Sequence, residues 1–157
     1  MHERATGSTV GRRAVVAGDD AFLRALEADR WGAAPDDTLV DLQFRARREG
    51  YRSAFGDAPD CLVVVGDEPA GRLLVAVRPA AHHVVDIALL RRYRGRGIGT
   101  ALMLDVRAAA AEAGVPVELT VLAGESRVVG WYERLGFAPT AADGVHVRMV
   151  WEGHRAR

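Results

Sequence analysis

The densest group of residues that could do chemistry is a loop rich in glycine and arginine, Arg94-Gly95-Arg96-Gly97-Ile98-Gly99-Thr100. A β-branched run precedes this loop and a helical pattern of apolar residues follows it, so the loop is predicted to join a strand to a helix. Glycines let a ligand approach the main chain. The first turn of a helix presents free N–H groups and a positive dipole end. The loop is therefore predicted to bind a phosphate or pyrophosphate.

Two well-known phosphate-binding loops do not fit this segment. A Walker A loop ends in Gly-Lys-Ser/Thr, whereas Gly99 is followed by Thr100 and Ala101. A dinucleotide fingerprint has glycines at its first, third and sixth positions, and the sixth position counted from Gly95 is Thr100. That fingerprint also usually follows the first strand of a parallel sheet, whereas this loop follows the fourth predicted strand. The chemistry of the loop therefore has to be identified from what surrounds it.

The surrounding elements are predicted from hydrophobic periodicity and turn residues, in the order β-α-α-β-β-β-α-β-α-β-β. This order is mixed rather than strictly alternating, which favours an α/β (α+β) domain with a mostly antiparallel sheet flanked by helices. A single domain is expected over residues 12–152, with its first strand over 12–17. Residues 1–11 are polar and aperiodic, and they are expected to form a flexible tail.

The bulk composition argues against several classes of protein. Lysine plus arginine and aspartate plus glutamate both total 21, so no net charge attracts nucleic acid or an anionic membrane. No segment approaches the roughly 20 apolar residues of a membrane helix, and the N-terminus lacks the apolar middle of a signal peptide. The single Cys61 excludes an internal disulfide, and the histidines lack metal-ligand spacing. We expect a cytoplasmic protein without a metal, a nucleic-acid partner or a membrane partner.

The loop resembles the Arg/Gln-x-x-Gly-x-Gly signature of the GNAT superfamily of N-acetyltransferases. A second segment, Tyr132-Glu133-Arg134-Leu135-Gly136-Phe137, is similar to the family's helix that ends in Tyr-Glu-x-x-Gly-Phe. The resemblance runs from Asp86 to Phe137, and the predicted element order fits the GNAT fold over nearly the whole chain. It implies transfer of an acetyl group from acetyl-CoA to a primary amine of a small molecule or protein by direct attack. Family habit also implies a homodimer.

The resemblance assigns the cofactor to the main chain on either side of the loop. In the family, the strand before the loop separates from its neighbour and its backbone binds the pantetheine arm, here at Ile87, Ala88 and Leu89. The main-chain N–H groups of the loop would hold the pyrophosphate. One or two of the arginines around the loop would pair with the 3′-phosphate; the alternative is that these arginines simply form a solvated face. The loop residues assigned in this way are Arg94, Gly95, Arg96, Gly97, Ile98, Gly99 and Thr100.

Two residues are the first candidates for catalysis. By resemblance, Tyr132 would protonate the leaving thiolate, a role that is typically worth ~10²- to 10⁴-fold in rate. Asp86, on the strand before the loop, is the first candidate for the base that deprotonates the amine. Alternative bases are a water molecule and three histidines, at positions 82, 83 and 146.

The chain departs from the family pattern at the start of the helix that carries Tyr132. The family commonly has an asparagine seven residues before this tyrosine, where the present chain has Glu125, followed by Ser126. Either residue could replace the asparagine as a helix cap, and Ser126 is a candidate contact to the cofactor. Gly130 in mid-helix costs ~1 kcal/mol relative to alanine and could make room for cofactor or substrate. These departures keep open a CoA-binding protein without turnover.

The acceptor is expected to contact the first two helices and the last hairpin, which are the variable parts of the GNAT fold. Gln43, Arg47 and Tyr51 recur every four residues and so share one face of a predicted helix. Together with His146 on the last strand, they are predicted to line the acceptor site. The alternative interpretation is that the helix face is simply solvated.

Overall fold

The computed structural model of the protein describes residues 9–31, 36–56 and 58–153. The helices are α1 (Asp20–Trp31), α2 (Asp37–Phe55), α3 (Ile98–Ala113) and α4 (Ser126–Arg134). None of the helices in these ranges is long and apolar enough to cross a membrane. The strands are β1 (Val10–Ala14), β2 (Asp60–Val65), β3 (Glu68–Val77), β4 (His82–Leu89), β5 (Val117–Leu122), β6 (Ala138–Ala142) and β7 (His146–Trp151).

The seven strands form one sheet in the order β1-β2-β3-β4-β5-β7-β6. Every neighbouring pair is antiparallel except β4 and β5, which are parallel. The parallel pair arises because the chain crosses over through α3 between these strands, which is the connection that parallel strands require. The predicted element order and the mixed, mostly antiparallel sheet are therefore confirmed.

Helix α3 packs against the centre of the sheet and closes the main core. One of its faces buries Leu102, Met103, Val106 and Ala110 against sheet residues such as Val84 and Leu119. These helix positions repeat at intervals of three and four residues, as expected for a helix that buries one face. The packing fixes the start of α3 beside the end of β4, where the glycine-rich loop joins the two elements.

The first strand begins earlier and ends earlier than predicted. Val10 and Gly11, which the sequence analysis assigns to the tail, pair with Val65 and Val64 of β2. The strand ends at Ala14 because the next residues form a 3₁₀ turn, in which the Asp19 carboxylate accepts a hydrogen bond from the Val16 N–H at 2.8 Å. The rest of the predicted tail, residues 1–8, lies outside the described part of the chain.

Candidate functional site

Strands β4 and β5 pair over only three residues and then diverge. The paired positions are residues 82–84 of β4 and 117–119 of β5. Beyond them, β4 continues to Leu89 beside β3, and β5 continues to Leu122 beside β7. The divergence leaves a wedge between the ends of the two strands, and we call this opening the wedge. Residues 87–89 of β4, the segment that the resemblance assigns to the pantetheine arm, form one of its sides.

A β-bulge lies where the two strands separate. Leu74 pairs with Asp86 and Val75 pairs with Val84, so Val85 is an extra residue in β4. Because side chains alternate between the faces of a strand, the extra residue places Val84 and Asp86 on opposite faces. Val84 packs in the core with α3, and Asp86 contacts Arg30 of α1. The bulge thus decides that Asp86 faces the first two helices.

The backbone at the end of β4 is directed into the wedge at alternate residues. The Leu90 N–H donates to Ala70 O at 2.9 Å, toward β3. Successive residues of a strand direct their backbone groups to opposite edges, so those of Ile87 and Leu89 face the wedge. The Leu89 carbonyl already accepts a hydrogen bond from Arg94 Nε at 2.9 Å. Main-chain groups of β4 are therefore available to a ligand mainly at Ile87 and at the Leu89 N–H.

Strand β3 approaches β4 closely beside the wedge, at Gly71. A Cβ atom at this position would lie 2.1 Å from the Ala88 carbonyl oxygen. Because that oxygen is backbone, neither strand could make room without shifting. The same proximity shows that the Ala88 carbonyl is directed toward β3 rather than into the wedge.

The glycine-rich loop ends the wedge at the start of α3. Gly95 and Gly97 have φ values of 71° and 79°, in the region that favours glycine. Gly97 is the N-cap of the 16-residue helix α3, and its carbonyl accepts the Ala101 N–H at 3.0 Å. The N–H groups of the preceding residues, Ile98 to Thr100, consequently have no acceptor within the helix. Three main-chain donors and the positive end of a long helix therefore face the same place.

The four arginines around the loop divide into two groups. Arg94 closes the loop through its bond to Leu89 and an ion pair with Asp29 of α1 at 3.5 Å. The Arg91 N–H donates to the same Asp29 carboxylate at 2.9 Å. Arg92 and Arg96 lie over the Tyr93 ring, with 5.1 and 5.7 Å between guanidinium carbon and ring centroid, and both are exposed. The Arg91 contact is made by its backbone, so the side chains of Arg91, Arg92 and Arg96 are all exposed beside the loop, and only the Arg94 side chain is tied to it.

Trp131 of α4, which sequence reasoning missed, packs against the first turn of α3. Its indole Nε1 donates to Thr100 Oγ1 at 3.2 Å, and its ring would lie 3.4 Å from a Cβ atom at Gly99. A tryptophan beside the motif tyrosine has the pattern of an ordinary core residue. Its place next to Tyr132 was the only signal in the sequence that could have identified it.

Tyr132 follows Trp131 on α4 and is buried in the main core. Its side chain is 4% exposed, and its ring centroid lies 4.7 Å from that of Trp131 and 5.5 Å from that of Phe137. Burial raises the pKa of the Tyr132 hydroxyl far above its usual value, and the charge of Asp86 raises it further. The Tyr132 hydroxyl is therefore protonated at neutral pH.

Asp86 belongs to a largely buried set of ionised side chains, which we call the polar cluster. Its Oδ2 lies 2.6 Å from Arg30 Nη2 and 3.9 Å from Arg72 Nη1. Arg72 also makes a two-point contact with Asp60, at 2.8 and 2.6 Å. The members of the polar cluster are Glu27, Arg30, Arg47, Asp60, Arg72 and Asp86.

Glu27 is the carboxylate at the helical side of the polar cluster. It is 4% exposed, and its Oε2 lies 3.0 Å from Arg47 Nε and 3.6 Å from Arg30 Nε. Arg47 Nη1 in turn donates to the Tyr51 hydroxyl at 3.3 Å, and the Tyr51 ring lies under the Arg72 guanidinium at 5.0 Å. Two of the predicted acceptor residues, Arg47 and Tyr51, are thus part of one network with Asp86.

A cavity of about 300 Å³ lies between α1, α2 and the sheet, beside the polar cluster. Four arginines and three acidic residues line it, together with six apolar residues. The charged lining residues are Asp20, Glu27, Arg30, Arg47, Arg48, Asp60 and Arg72, and the apolar ones are Val15, Val16, Ala17, Leu23, Leu26 and Phe44.

The other two predicted acceptor residues lie elsewhere. Gln43 is partly buried on α2 but does not line the cavity. His146 is exposed at the start of β7, opposite Leu122, and lies 3.5 Å from the Asp143 carboxylate. Sequence spacing could not show this, because it does not reveal that Arg47 meets Glu27 of α1. The structure therefore joins Arg47 and Tyr51 into one site and leaves Gln43 and His146 outside it.

The alternative bases on β4 lie at the closed end of the wedge. His82 is buried where β4 still pairs with β5. His83 stacks on Phe55 with 5.0 Å between centroids and lies 4.0 Å from the Glu118 carboxylate; its pKa is lowered by burial. Within the described ranges, no set of three or more histidine, cysteine or acidic side chains could hold a metal ion.

The start of α4 is not capped by a side chain. Glu125 is the N-cap residue, and its carbonyl rather than its carboxylate accepts bonds from the Val128 and Val129 N–H groups at 3.0 Å. Ser126 is the exposed first residue of the helix. The suggestion that either side chain caps the helix is therefore wrong. At Gly130, a Cβ atom would meet only Arg134 Nη1 at 3.5 Å, so packing within the described chain does not require a glycine there.

Comparison with solved structures places this architecture among acetyltransferases, at identities that show the fold alone. PaiA N-acetyltransferase from Thermoplasma acidophilum, solved with coenzyme A, shares 15% identity over 92% of this chain and 99% of its own, with a TM-score of 0.73. A chimera of spermidine N-acetyltransferase SpeG from Vibrio cholerae and hSSAT shares 16% identity over 92% and 96%, with a TM-score of 0.68.

A third solved structure is Naa50 from Arabidopsis thaliana, in complex with a bisubstrate analogue. It shares 17% identity over 90% of this chain and 96% of its own, with a TM-score of 0.65. No curated protein sequence matches the chain. The sequence model of the acetyltransferase (GNAT) family matches residues 21–137, a span from α1 to the end of the second motif. Because that match covers well over half of the chain, the protein belongs to the acetyltransferase (GNAT) family.

Proposed function

We propose that the protein is an acetyl-CoA-dependent N-acetyltransferase that acts on the primary amine of an acceptor by direct attack. The observation that carries this proposal is the wedge between β4 and β5, which ends at the free N–H groups at the start of α3. Backbone of β4 lines one of its sides, the start of α3 offers donors to an anion, and the buried Tyr132 lies on the neighbouring α4 beside Trp131. This order of groups matches an extended thioester with a pyrophosphate at one end.

The residues present fit the cofactor at each of its parts. The backbone groups of Ile87 and Leu89 that face the wedge would pair with the amides of the pantetheine arm. The main-chain donors from Gly95 to Thr100 would hold the pyrophosphate, as at other helix N-termini. Arg92 and Arg96 would reach the 3′-phosphate, and Ser126, exposed at the start of α4, is a candidate contact to the arm.

Tyr132 supplies the proton in the proposed reaction. The amine lone pair attacks the thioester carbonyl, the carbon–sulfur bond breaks, and the departing thiolate has to be protonated or stabilised. A hydroxyl whose pKa is raised by burial holds its proton at neutral pH until a stronger base forms beside it. No covalent enzyme intermediate is needed.

Asp86 remains our first candidate for the group that takes the proton from the amine, directly or through a water molecule. Its described contacts with Arg30 and Arg72 both involve Oδ2, and they orient the carboxylate near the wedge. The same arginines connect Asp86 to the cavity between α1 and α2. An acceptor amine could therefore approach the wedge from the side of the polar cluster.

The proposal is tested first by binding and then by turnover. Acetyl-CoA at 100 times its Kd should stabilise the protein by about 2.7 kcal/mol, seen as a rise in melting temperature. A screen of primary amines, with release of free thiol as the readout, then tests transfer. No thermal shift at saturating acetyl-CoA would contradict the proposal.

Tyr132→Phe tests the catalytic role without removing the ring. We expect kcat to fall by ~10²- to 10⁴-fold while the Kd for acetyl-CoA stays the same. Glu133→Gln, on the exposed side of the same helix, is the matched control and should leave both values unchanged. Equal turnover of wild type and Tyr132→Phe would show that the hydroxyl is not the acid.

A second candidate function is a CoA-binding protein without turnover. The uncapped start of α4 and the Glu125 that stands where the family has asparagine favour it. It predicts a full thermal shift with acetyl-CoA but no thiol release with any amine. The cytoplasmic location, the homodimer and the absence of a metal stay predictions.

A further inference from the structure

Two consecutive residues at the end of α1, Asp29 and Arg30, contact different parts of the proposed site. Arg30 Nη2 lies 2.6 Å from the Asp86 carboxylate in the polar cluster. The Asp29 carboxylate instead accepts a hydrogen bond from the Arg91 N–H at 2.9 Å and lies 3.5 Å from Arg94 Nη2. The last turn of α1 is therefore attached both to β4 and to the segment that leads into the glycine-rich loop.

The Arg91 N–H obtains its acceptor from outside its own segment. It belongs to the first residue of the 3₁₀ turn Arg91–Tyr93, whose N-cap residue is Leu90. A leucine side chain carries no hydrogen-bond acceptor, so it cannot cap the first N–H groups of a turn. Asp29, which lies 62 residues away in the sequence, supplies the cap from α1. The start of the loop is therefore held by a tertiary contact.

The Arg94 side chain takes part in the same attachment. Its Nε donates to the Leu89 carbonyl at 2.9 Å, and its Nη2 faces Asp29. The ion pair is partly exposed, with 47% of the Arg94 side chain and 27% of the Asp29 side chain accessible, and such pairs contribute little by themselves. The main part of the contact is therefore the hydrogen bond from the Arg91 N–H, which is strengthened by the charge of its acceptor.

A carboxylate beside this loop is unfavourable on electrostatic grounds. The segment 91–96 carries four arginines, and the start of α3 directs free N–H groups toward an anion. A negative charge nearby repels that anion and so weakens its binding. The position of Asp29 is explained if the order that this residue imposes on the loop outweighs the repulsion.

The loop has a conformational freedom that such a contact limits. Gly95 and Gly97 have φ values of 71° and 79°, and glycine loses more conformational entropy on ordering than any other residue. A loop that becomes ordered only when its ligand binds reduces the affinity, whereas a loop that is held in place beforehand avoids this cost. An anchor at residues 91 and 94, directly before these glycines, prepares the N–H groups of residues 98–100 for an anion.

We propose that Asp29 is a positioning residue for the anion site. Through the Arg91 N–H and the Arg94 side chain, it holds the glycine-rich loop in the conformation that binds a pyrophosphate. As a statement about acetyl-CoA, the proposal rests on the proposed function. Asp29 acts through its neighbours, and no bond to it forms or breaks in the reaction.

Binding of CoA, measured by isothermal titration calorimetry, separates positioning from electrostatics because the two effects have opposite signs. Asp29→Ala removes both the charge and the hydrogen-bond acceptor, and we expect the Kd for CoA to rise about tenfold. Asp29→Asn removes the same charge but keeps an acceptor for the Arg91 N–H, so we expect a smaller rise. A Kd in Asp29→Ala that equals the wild-type value or falls below it overturns the proposal.

The matched control for this measurement is Asp105→Asn on α3. Asp105 is exposed and also pairs with an arginine, Arg12, at 3.8 Å. The substitution removes a carboxylate from an arginine pair, as Asp29→Asn does, but leaves the attachment of the loop intact. We expect the Kd of this variant for CoA to equal that of the wild type.

Amide hydrogen exchange tests the same role without any ligand. We expect the amides of residues 91–100 to exchange faster in Asp29→Ala than in the wild type, while those of the second half of α3 keep their rates. The Tyr93 hydroxyl still donates to the Glu68 carboxylate at 3.0 Å, so we expect the variant to fold, and circular dichroism checks this. If Asp29→Ala is unfolded, Asp29→Asn replaces it with the same expected directions. Unchanged exchange over residues 91–100 overturns the proposal.

Steady-state kinetics with an amine acceptor distinguishes positioning of the cofactor from general damage to the enzyme. Because Asp29 is assigned to binding alone, the KM for acetyl-CoA should rise in Asp29→Ala while kcat stays unchanged. A fall in kcat with an unchanged KM for acetyl-CoA contradicts this role.

The two proposals fail in different ways. If the wild-type protein does not bind CoA, the proposed function is contradicted, and exchange over residues 91–100 decides whether Asp29 holds the loop. If the wild type binds CoA and Asp29→Ala binds it equally well, the proposed function stands and the role of Asp29 is overturned. Weaker CoA binding and faster exchange in Asp29→Ala, with neither change in Asp105→Asn, support both.

Discussion

The two sides of the proposed site are built from different chemical groups, backbone on one side and charged side chains on the other. The cofactor side, which comprises the wedge, the glycine-rich loop and the start of α3, consists mainly of backbone groups whose placement depends on glycines such as Gly71 and Gly97. The polar cluster consists of side chains, and its members come from α1, α2, β2, β3 and β4. The first side thus centres on one continuous segment, from the end of β4 to the start of α3, whereas the second is assembled from distant segments.

This difference predicts how each side responds to mutation. A site built from backbone tolerates the loss of a charge but not an added Cβ atom at a close approach. A site built from paired charges tolerates small changes in volume but not the removal of one member. Under the proposed function, a change in acceptor specificity therefore requires no change in the glycine-rich loop.

The largest effect is expected from removing a charge on the polar cluster. Asp86→Ala leaves Arg30 and Arg72 with less compensation at a buried position, and we expect the free energy of unfolding to fall by about 3 kcal/mol. Arg96→Gln, an exposed charge on the cofactor side, should stay within about 0.5 kcal/mol of wild type. Urea denaturation measures the free energy of unfolding of both variants. Equal losses of stability would show that the polar cluster and the cofactor side do not differ in their dependence on charge.

The next effect comes from adding a methyl group beside the wedge. In Gly71→Ala the new Cβ would lie 2.1 Å from the Ala88 carbonyl oxygen, which forces β3 and β4 apart and costs about 1–3 kcal/mol. Gly50→Ala, in a helix with nothing within 4 Å of the new atom, should instead stabilise by up to about 1 kcal/mol. If Gly71→Ala were as stable as Gly50→Ala, the close approach of the strands would be refuted.

A smaller effect, of opposite sign, is expected at Gly130. Because a Cβ atom there meets only the end of the Arg134 side chain, Gly130→Ala should raise the free energy of unfolding by about 1 kcal/mol. A weaker Kd for acetyl-CoA in this more stable variant would show that the glycine makes room for the cofactor. An unchanged Kd would show that it has no role in binding.

The smallest expected effect is a difference in acid sensitivity between α1 and α2, the helices that carry part of the polar cluster, and α3 on the cofactor side. The hydrogen bond from Arg13 lowers the pKa of Asp19, at the start of α1, to about 2, and the Val16 N–H adds to this. The hydrogen bond from Arg24 lowers the pKa of Asp41 in α2. A pKa that is lower in the folded state means that this stabilisation is complete above the unfolded value of 3.8 and is lost as the pH falls through about 2.

Amide hydrogen exchange can locate this loss. Between pH 4 and pH 2 we expect protection to fall first at the start of α1 and in α2, whereas the amides of α3 keep theirs. Simultaneous loss of protection in α1 and α3 would mean that the domain unfolds as one unit. In that case α1 and α2 would be no more sensitive to acid than α3 is.

The cofactor side was largely predictable because its signals are local. The positions of Gly97, of the helix that follows it and of Tyr132 can all be read from short motifs, and the structure places them in one region. The predicted tail included Val10 and Gly11, which belong to β1. The start of β1 is decided by pairing with β2, which local sequence pattern does not show. Trp131 was not predicted, because its contact with Thr100 joins two helices that are far apart in the sequence.

The polar cluster could not be predicted, because it depends on register. Asp86 was identified only as a carboxylate on the strand before the loop; the bulge at Val85 decides which face it occupies, and hence that it meets Arg30 rather than the core. Glu27 is close in sequence to one partner, Arg30, but its shorter contact is with Arg47 on another helix, which the sequence does not reveal. Of the four predicted acceptor residues, only Arg47 and Tyr51 are joined in the structure.

The sequence alone determined the order of the elements, the resemblance to the family and the position of the glycine-rich loop before α3. These depend on periodicity, on glycine conformation and on helix ends, which are properties of neighbouring residues. Only the tertiary structure decided which side chains form the polar cluster. Their meeting depends on strand register and on the packing of α1 against α2, which are set by contacts between segments far apart in the chain.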